Sequence, residues 1–249
     1  RTDLGRRVRK SFVVEKPATW QLLSADYSQV ELRVLAHLSQ DPNLIEAFER
    51  DEDIHSSTAS QVFSVPLDKV TSDMRRIAKV MNFGVIYGLT AFGISQQTEL
   101  SPDQGSQFIK SYFGSYPRVW TYLEETIAAA RESGYVQTFL GRRRYLPEIT
   151  SPNYQIRQAA ERMAVNMPVQ GTAAEIIKVA MISIHQQFNQ LAMTAKMLLQ
   201  VHDELVFEVS QEETEPLQQI LLATMPNALG LDVPLKIDLK VGATWGDLK

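Results

Sequence analysis

The sequence predicts an α+β fold, with strands near both ends of the chain and helices between them. Residues 20–25 form a short apolar run that is typical of a strand. Residues 197–201 and 205–209 are rich in β-forming side chains and flank a polar centre, which indicates a hairpin. Residues 235–241 alternate apolar and charged side chains, as a half-buried strand does. We therefore predict an antiparallel sheet that carries a large helical insertion.

Helical spacing dominates the rest of the chain. Apolar side chains recur at helical intervals from Val30 to Leu38, and Pro42 ends that helix. Two separate helices are predicted over residues 153–165 and 172–191, because Pro168 interrupts the pattern between them. Residues 211–222 are predicted as a further helix, and 53–150 as mostly helical with breaks at Pro66, 84–93, Pro102, Pro117 and 141–147.

The composition is that of a globular protein without disulfides. The chain has 249 residues, of which 44% are hydrophobic, and it contains no cysteine. Any metal must therefore bind to oxygen or nitrogen ligands. No apolar run reaches the length of about 18 residues that a membrane-spanning helix needs. The net charge of -4 gives no sign of nucleic-acid binding, although basic residues cluster at 1–10, 75–79 and 142–144. Each basic cluster could also be a solvated face.

Three acids stand next to predicted strands. Asp26 follows the first strand, and Asp203 and Glu204 lie in the middle of the hairpin. A carboxylate beside buried strands is costly unless it is paired or binds a metal. Two aspartates on neighbouring strands suit hard ions such as Mg²⁺ or Mn²⁺ and two-metal phosphoryl or nucleotidyl transfer. The Asp-Glu pair alone also suits an ordinary turn.

A stripe of cations and aromatics lies in the central helical region. Arg75, Lys79, Phe83 and Tyr87 are four residues apart, so they follow one slanting line on an α-helix. The cations can bind phosphates, and the aromatic rings can pack against a base or sugar. The order suits a nucleoside triphosphate, although a surface helix with its aromatics in the core would show the same spacing.

Three segments together resemble the motifs of family A DNA polymerases, the bacterial DNA polymerase I family. Residues 26–33 (DYSQVELR) resemble motif A, residues 75–88 (RRIAKVMNFGVIYG) resemble motif B, and residues 201–204 (VHDE) resemble motif C. The motifs occur in the family's order, and residues 141–145 and 166–174 are also similar to this family. The resemblance covers essentially the whole chain.

The resemblance implies roles for individual residues. Asp26 and Asp203, with the backbone carbonyl of Tyr27, would bind two Mg²⁺ ions, for which Mn²⁺ could substitute. Glu204 would be the auxiliary acid, and Lys79 would act in catalysis as well as in binding. The residues implied in dNTP binding are Gln29, Glu31 as the steric gate against ribose, His55, Arg75, Lys79, Phe83 and Tyr87. Those implied in contacts with primer-template DNA are Arg162, Asn166, Gln170 and His202.

The resemblance also implies an architecture and partners. The fold would be the right-hand polymerase fold without its thumb: a palm at residues 1–52 and 153–249 and fingers at 53–152. The substrates would be dNTPs and primer-template DNA, in replication or repair. Thumb and nuclease-type domains would lie upstream in the full-length protein, which we expect in the bacterial cytoplasm, at the nucleoid.

Three other interpretations fit parts of the sequence. A two-metal nuclease would use the same acids but would not need the stripe from Arg75 to Tyr87. A catalytically silent nucleic-acid-binding scaffold would not need Asp26, Asp203 and Lys79 together. An RNA-polymerising relative would conflict with a steric gate at Glu31.

Overall fold

The computed structural model describes residues 3–88 and 90–248, without the side chains of Asp3, Arg6, Val85 and Ile86. Arg1 and the side chain of Arg6, both in the basic N-terminal cluster, therefore lie outside the described part. The chain forms two compact units. The sheet unit comprises Arg1–Val30, Ala173–Gly230 and Leu235–Lys249, and the helical unit comprises Glu31–Thr172 and Leu231–Pro234. The bounds predicted for palm and fingers stay a prediction.

The sheet unit contains a four-stranded antiparallel sheet made of β1 (Trp20–Tyr27), β4 (Lys196–Val201), β5 (Glu204–Ser210) and β6 (Ile237–Gly242). The strands lie in the order β4-β5-β1-β6. The central strand β1 pairs with β5 on one side and β6 on the other, and β4 pairs with β5 as a hairpin. The predicted antiparallel sheet and hairpin are confirmed, as is the α+β fold class.

Apolar side chains on one face of this sheet form a core with residues from near both ends of the chain. Leu22 and Val206 pack with Val14, Trp245 and Leu248. The unit's own helices are α1 (Asp3–Lys10) and α10 (Thr214–Thr224), with a short 3₁₀ helix at Trp245–Asp247. Both faces of β1 and β5 are buried, and a slip by one residue would move Glu204 and Glu208 to the face where Leu205 and Phe207 are packed, which fixes the register.

The helical unit is built from consecutive helices whose starts the sequence specifies. Asp41, Asp53, Thr90 and Ser101 each accept backbone N–H groups as N-caps, which contributes about 1 kcal/mol each. The helices are α2 (Val30–Ser39), α3 (Pro42–Glu49), α4 (Ile54–Phe63), α5 (Ser72–Ile86), α6 (Ala91–Gln97), α7 (Pro102–Ser115) and α8 (Pro117–Ser133). A small hairpin that the sequence did not predict follows them, formed by β2 (Tyr135–Gln137) and β3 (Arg143–Tyr145).

The predicted interruption at Pro168 is wrong. Helix α9 (Tyr154–Gln190) runs for 37 residues with Pro168 inside it, and the boundary between the units falls within this helix. Proline normally breaks a helix by removing one N–H and crowding the preceding turn. Here tertiary contacts offset that cost, because Ala164 and Val169 are buried and the Thr172 hydroxyl accepts the backbone N–H of Phe139 at 3.0 Å.

Gly171 in α9 gives a stability prediction. A Cβ at this position would lie 2.4 Å from Thr138 Cγ2, so Gly171→Ala should lower the free energy of unfolding by about 1–3 kcal/mol through overpacking. Gly114 in α7 is the matched control, since a Cβ there would meet nothing within 4 Å. Gly114→Ala should stabilise the protein by about 0.5–1 kcal/mol. Denaturant unfolding measures both variants, and equal effects would contradict the close contact with Thr138.

In the part of the chain that the structure describes, no helix is long and apolar enough to cross a membrane.

Candidate active site

The predicted acids lie together at one edge of the sheet unit. Asp26 near the end of β1 is paired in register with Glu204 of β5 on one side and with Asp238 of β6 on the other. The backbone N–H of Tyr27 donates to the carbonyl oxygen of Asp203 at 3.1 Å. Asp203 is therefore held beside the end of β1, next to Asp26, although 177 positions separate the two in sequence, from 26 to 203.

Two tight turns with left-handed residues support this edge. His202 has a φ of 57° in the two-residue loop between β4 and β5, and Gln29 has a φ of 54° between β1 and α2. Residues other than glycine seldom adopt positive φ, and such residues cluster at functional sites. Both turns therefore hold a rare backbone conformation beside the acids.

Tyr27 is anchored at its side chain as well as its backbone. Its hydroxyl is buried and donates to the carbonyl oxygen of Met225 at 2.7 Å, and burial raises its pKa. The two hydrogen bonds, at the backbone N–H and at the phenol, hold the Tyr27 peptide at the acidic edge. The carbonyl that the sequence predicted as a metal ligand therefore belongs to a fixed residue.

Glu204 has a different environment from Asp26. Its carboxylate is buried and accepts the indole N–H of Trp245 at 3.3 Å, whereas Asp26 is exposed. Both residues line a cavity of about 240 Å³ with Ser24, Asp238, Lys240 and Leu248. Glu204 is thus partnered within the fold, which suits an auxiliary acid.

The donor set of this edge fits magnesium. Among the described residues, no group of three or more His, Cys, Asp or Glu side chains is arranged to hold a metal ion by itself. Mg²⁺ typically binds through one or two carboxylates, and substrate phosphates and water complete its coordination. Asp26 and Asp203 with the Tyr27 carbonyl supply such an incomplete oxygen set.

The predicted stripe of cations and aromatics lies on α5, except for its last member. Arg75, Lys79 and Phe83 follow one another at intervals of four residues in α5, which ends at Ile86. Tyr87 lies in the turn after the helix, where its N–H donates to the Gly84 carbonyl at 3.1 Å. Placing Tyr87 on the helix itself was therefore wrong, since the chain turns at Gly88 with a φ of 65°.

Arg75 pairs with Asp53, the N-cap of α4. Its Nε donates to Asp53 Oδ2 at 2.5 Å, and its Nη2 donates to Oδ1 at 3.2 Å. Burial alone would raise the pKa of Asp53, but hydrogen bonds from Arg75 and Ser56 hold that pKa below its usual value. Both side chains are more than a third exposed, so the pair is worth only about 0–1 kcal/mol.

His55 is buried between α4 and α5. Only 3% of it is exposed, and its ring lies 5.7 Å from that of Phe83. The pKa of His55 is lowered to about 4, chiefly by burial and also by the neighbouring charges of Arg75 and Lys79, against the opposing charge of Asp53. The imidazole is therefore neutral at physiological pH.

This buried imidazole predicts acid sensitivity. The unfolded chain binds a proton at His55 below about pH 6.5, whereas the folded protein does so only below about pH 4. The free energy of unfolding should therefore fall as the pH is lowered through this window. Denaturant unfolding at a series of pH values should show a shallower fall for His55→Gln than for wild type. His185→Gln, at an exposed histidine, should follow the wild type.

Three predicted residues from distant segments meet in the helical unit. The Tyr87 hydroxyl donates to Glu31 Oε2 at 3.2 Å, and Gln170 Nε2 donates to Glu31 Oε1 at 3.2 Å. Gln170 Nε2 also donates to the Tyr87 hydroxyl at 2.9 Å. Burial and the Glu31 carboxylate raise the pKa of Tyr87, so its hydroxyl stays protonated as a donor.

Three of the residues that were predicted to contact DNA lie in the part of α9 that belongs to the helical unit. Arg162, Asn166 and Gln170 lie one turn apart along it. Arg162 packs against Gly88, where a Cβ would lie 2.7 Å from Arg162 Cγ. The glycine is needed both for its positive φ and for this close approach.

Several residues at these sites were missed in the sequence. Asp238 follows the ordinary alternation of a half-buried strand, so the sequence did not mark it as part of the acidic edge. Trp245 lies 41 positions from Glu204, which is too far for a local pattern to show their contact. Asp53 had a local signal, since an aspartate before a helical run is a common N-cap. Asn82, which lies in motif B, forms a hydrogen bond with His55, and the residues next to Asn82 in sequence gave no sign of this contact.

The fold and these sites define a class: an α+β protein with an acidic sheet edge in one unit and a cation–aromatic group in the other. The chain belongs to DNA polymerase family A, whose family model matches residues 1–247.

The chain is similar to bacterial proteins named DNA polymerase I. It is 48% identical to that of Bacillus caldotenax and 49% identical to that of Bacillus subtilis, over 100% of this chain and 28% of each relative. The chain thus spans about a quarter of the length of these relatives. A solved structure of the POL domain of Pol1 from M. smegmatis, in complex with DNA primer-template and dNTP, matches with a TM-score of 0.95 and 48% identity. That match covers 100% of this chain and 44% of the other.

Proposed function

We propose that this chain carries out template-directed DNA synthesis, joining a deoxynucleotide from a dNTP to a primer 3′-hydroxyl and releasing pyrophosphate. The observation that carries the proposal is the acidic edge, where the Tyr27 N–H donates to the Asp203 carbonyl and so brings the backbones of Asp26 and Asp203 close together. Membership of family A and the M. smegmatis complex with primer-template and dNTP support it.

Asp26, Asp203 and the Tyr27 carbonyl would hold two divalent ions, with Mg²⁺ preferred and Mn²⁺ able to substitute. When bound, such ions lower the pKa of an attacking hydroxyl and neutralise charge on the leaving phosphates. The two aspartates contribute fixed negative charge at a rigid strand end. Glu204, held by Trp245, adds negative charge to the same edge without leaving its buried position.

Arg75, Lys79 and His55 would bind the triphosphate. Lys79 is exposed on α5 and presents a point charge, while Arg75 is held by a weak exposed pair with Asp53. A triphosphate carries more negative charge than one carboxylate, so it can displace Asp53 from the guanidinium. Phe83, beside His55, would pack under the sugar and base.

The cluster of Glu31, Tyr87 and Gln170 would select the sugar and examine the nascent base pair. Glu31 is held at both carboxylate oxygens, so it has little freedom to make room for a ribose 2′-hydroxyl. Gln29, in its left-handed turn, would border the same nucleotide. Arg162, Asn166, Gln170 and His202 would contact primer-template DNA, where minor-groove acceptors are similar for every correct pair.

The proposed setting follows the relatives. Primer-template DNA and dNTPs would be the partners, with thumb and nuclease-type domains in the full-length protein. The expected role is replication or repair in the bacterial cytoplasm, at the nucleoid; the bacterial relatives named DNA polymerase I support the bacterial setting.

Primer extension tests the proposal directly. The protein is incubated with a labelled primer on a template, Mg²⁺ and each dNTP in turn, with ribonucleotides as a parallel series. Extension only by the dNTP complementary to the template is expected. Shortened primers would favour a nuclease, and DNA binding without any change of the primer would favour a silent scaffold.

A further inference from the structure

A chain of buried hydrogen bonds leads to His55 from the interior of the helical unit. Tyr116 hydroxyl and Thr58 Oγ1 are 3.1 Å apart, and Thr58 Oγ1 is 3.2 Å from Asn82 Oδ1. Asn82 Nδ2 is 3.1 Å from His55 Nδ1. Tyr116, Thr58 and Asn82 are fully buried, so water cannot replace a missing partner cheaply.

The direction of each hydrogen bond in this chain is determined. The Nδ2 end of the Asn82 amide also faces the backbone carbonyl of Ile54 at 3.5 Å, and a carbonyl can only accept. This end is therefore the donor NH₂ group, and Oδ1 must accept from the Thr58 hydroxyl. Thr58 has a single proton, so its oxygen accepts in turn from the Tyr116 hydroxyl. His55 Nδ1 is left as an acceptor.

We propose that Asn82 is a positioning residue that fixes His55 as the neutral tautomer with its proton on Nε2. The ring then offers an N–H donor, and not a lone pair, to an anionic phosphate oxygen. The role of the Nε2–H group in binding phosphate rests on the proposed function, whereas the tautomer itself does not.

The charges around His55 are compatible with this tautomer. Asp53 faces the ring from the start of α4, and Arg75 and Lys79 face it from α5. The carboxylate of Asp53 accepts hydrogen bonds from Nε and Nη2 of Arg75, so the arginine competes with the imidazole for it. Two nearby cations disfavour a charged imidazole, and a neutral ring can hold its proton on only one nitrogen.

The tautomer can be read directly by NMR. Two-bond ¹H–¹⁵N correlation spectra of protein labelled at its 4 histidines distinguish the Nε2–H from the Nδ1–H form. The signals that are present in the wild-type spectrum and absent from that of His55→Gln belong to the His55 ring. We expect the Nε2–H form near neutral pH. The Nδ1–H form, or an even mixture of both, would overturn the proposal, whatever the protein does to DNA.

Asn82→Asp tests the positioning role in catalysis. A carboxylate at 82 can only accept, so the neutral His55 ring would carry its proton on Nδ1 and turn a lone pair toward the phosphate. The imidazolium, which keeps the Nε2 proton, would survive only at lower pH. The KM for dNTP should therefore rise about tenfold or more as the pH increases in this variant, and stay level in wild type.

Another Asn–His pair, which is exposed, provides the control. Asn189 Nδ2 and His185 Nε2 lie 3.2 Å apart on the surface of α9, so Asn189→Asp makes the same change beside another histidine. It should leave the pH profile of KM unchanged. A profile for Asn82→Asp that matches wild type would overturn the proposal, as would a uniform loss of kcat and stability without a pH slope. Should Asn82→Asp fail to fold, the wild-type NMR spectrum still decides the tautomer. An Nε2–H ring in a protein that extends no primer would refute the proposed function alone.

Discussion

Replacing Asp203 by asparagine should abolish primer extension while leaving the fold intact. The change keeps the size of the side chain, and asparagine suits a tight turn as well as aspartate does. It removes the carboxylate of Asp203, whose backbone carbonyl accepts the Tyr27 N–H at the end of β1. Losing a charged oxygen ligand should remove several kcal/mol of transition-state stabilisation, so the rate should fall by about 10³-fold or more.

The measurement is single-nucleotide incorporation with Mg²⁺, together with an unfolding curve for each protein. Asp68→Asn is the control, at an aspartate whose side chain is 75% exposed. It should match wild type in both assays. Activity in Asp203→Asn within a few-fold of wild type would refute the proposed role of Asp203 as a metal ligand.

Lys79→Met should give the second largest loss. Methionine keeps most of the length and the apolar stem of lysine but removes its ammonium group. A cation placed on developing negative charge in a site with little water is typically worth about 10²–10³ in rate. We therefore expect a fall of that order in kcat/KM for dNTP, with little effect on the binding of primer-template DNA.

Arg76→Met is the matched control on the same helix. Arg76 is exposed and lies 3.8 Å from Asp73, so it has a partner away from the predicted stripe. Stopped-flow or quench-flow incorporation at varied dNTP concentration separates the two variants. Equal losses for Lys79 and Arg76 would mean that α5 acts through its overall charge, and not through one lysine.

The sequence by itself determined the fold class, the family and most of the local structure. Alternating and helical periodicities are properties of neighbouring residues, so β1 and the β4–β5 hairpin could be predicted. The acids at Asp26 and Asp203 stood out for the same reason, since carboxylates beside apolar runs conflict with local burial. The motifs then connected them with a family.

Only the tertiary structure decided which side chains are partners. Helix α9 continues through Pro168 because packing outweighs a local penalty that the sequence shows clearly. Glu31 meets Gln170 across 139 positions, and Trp245 meets Glu204 across 41. The tautomer proposed for His55 depends on Ile54, Asn82, Thr58 and Tyr116 together. Such contacts depend on how buried elements pack, and a sequence pattern records only what lies within a few residues along the chain.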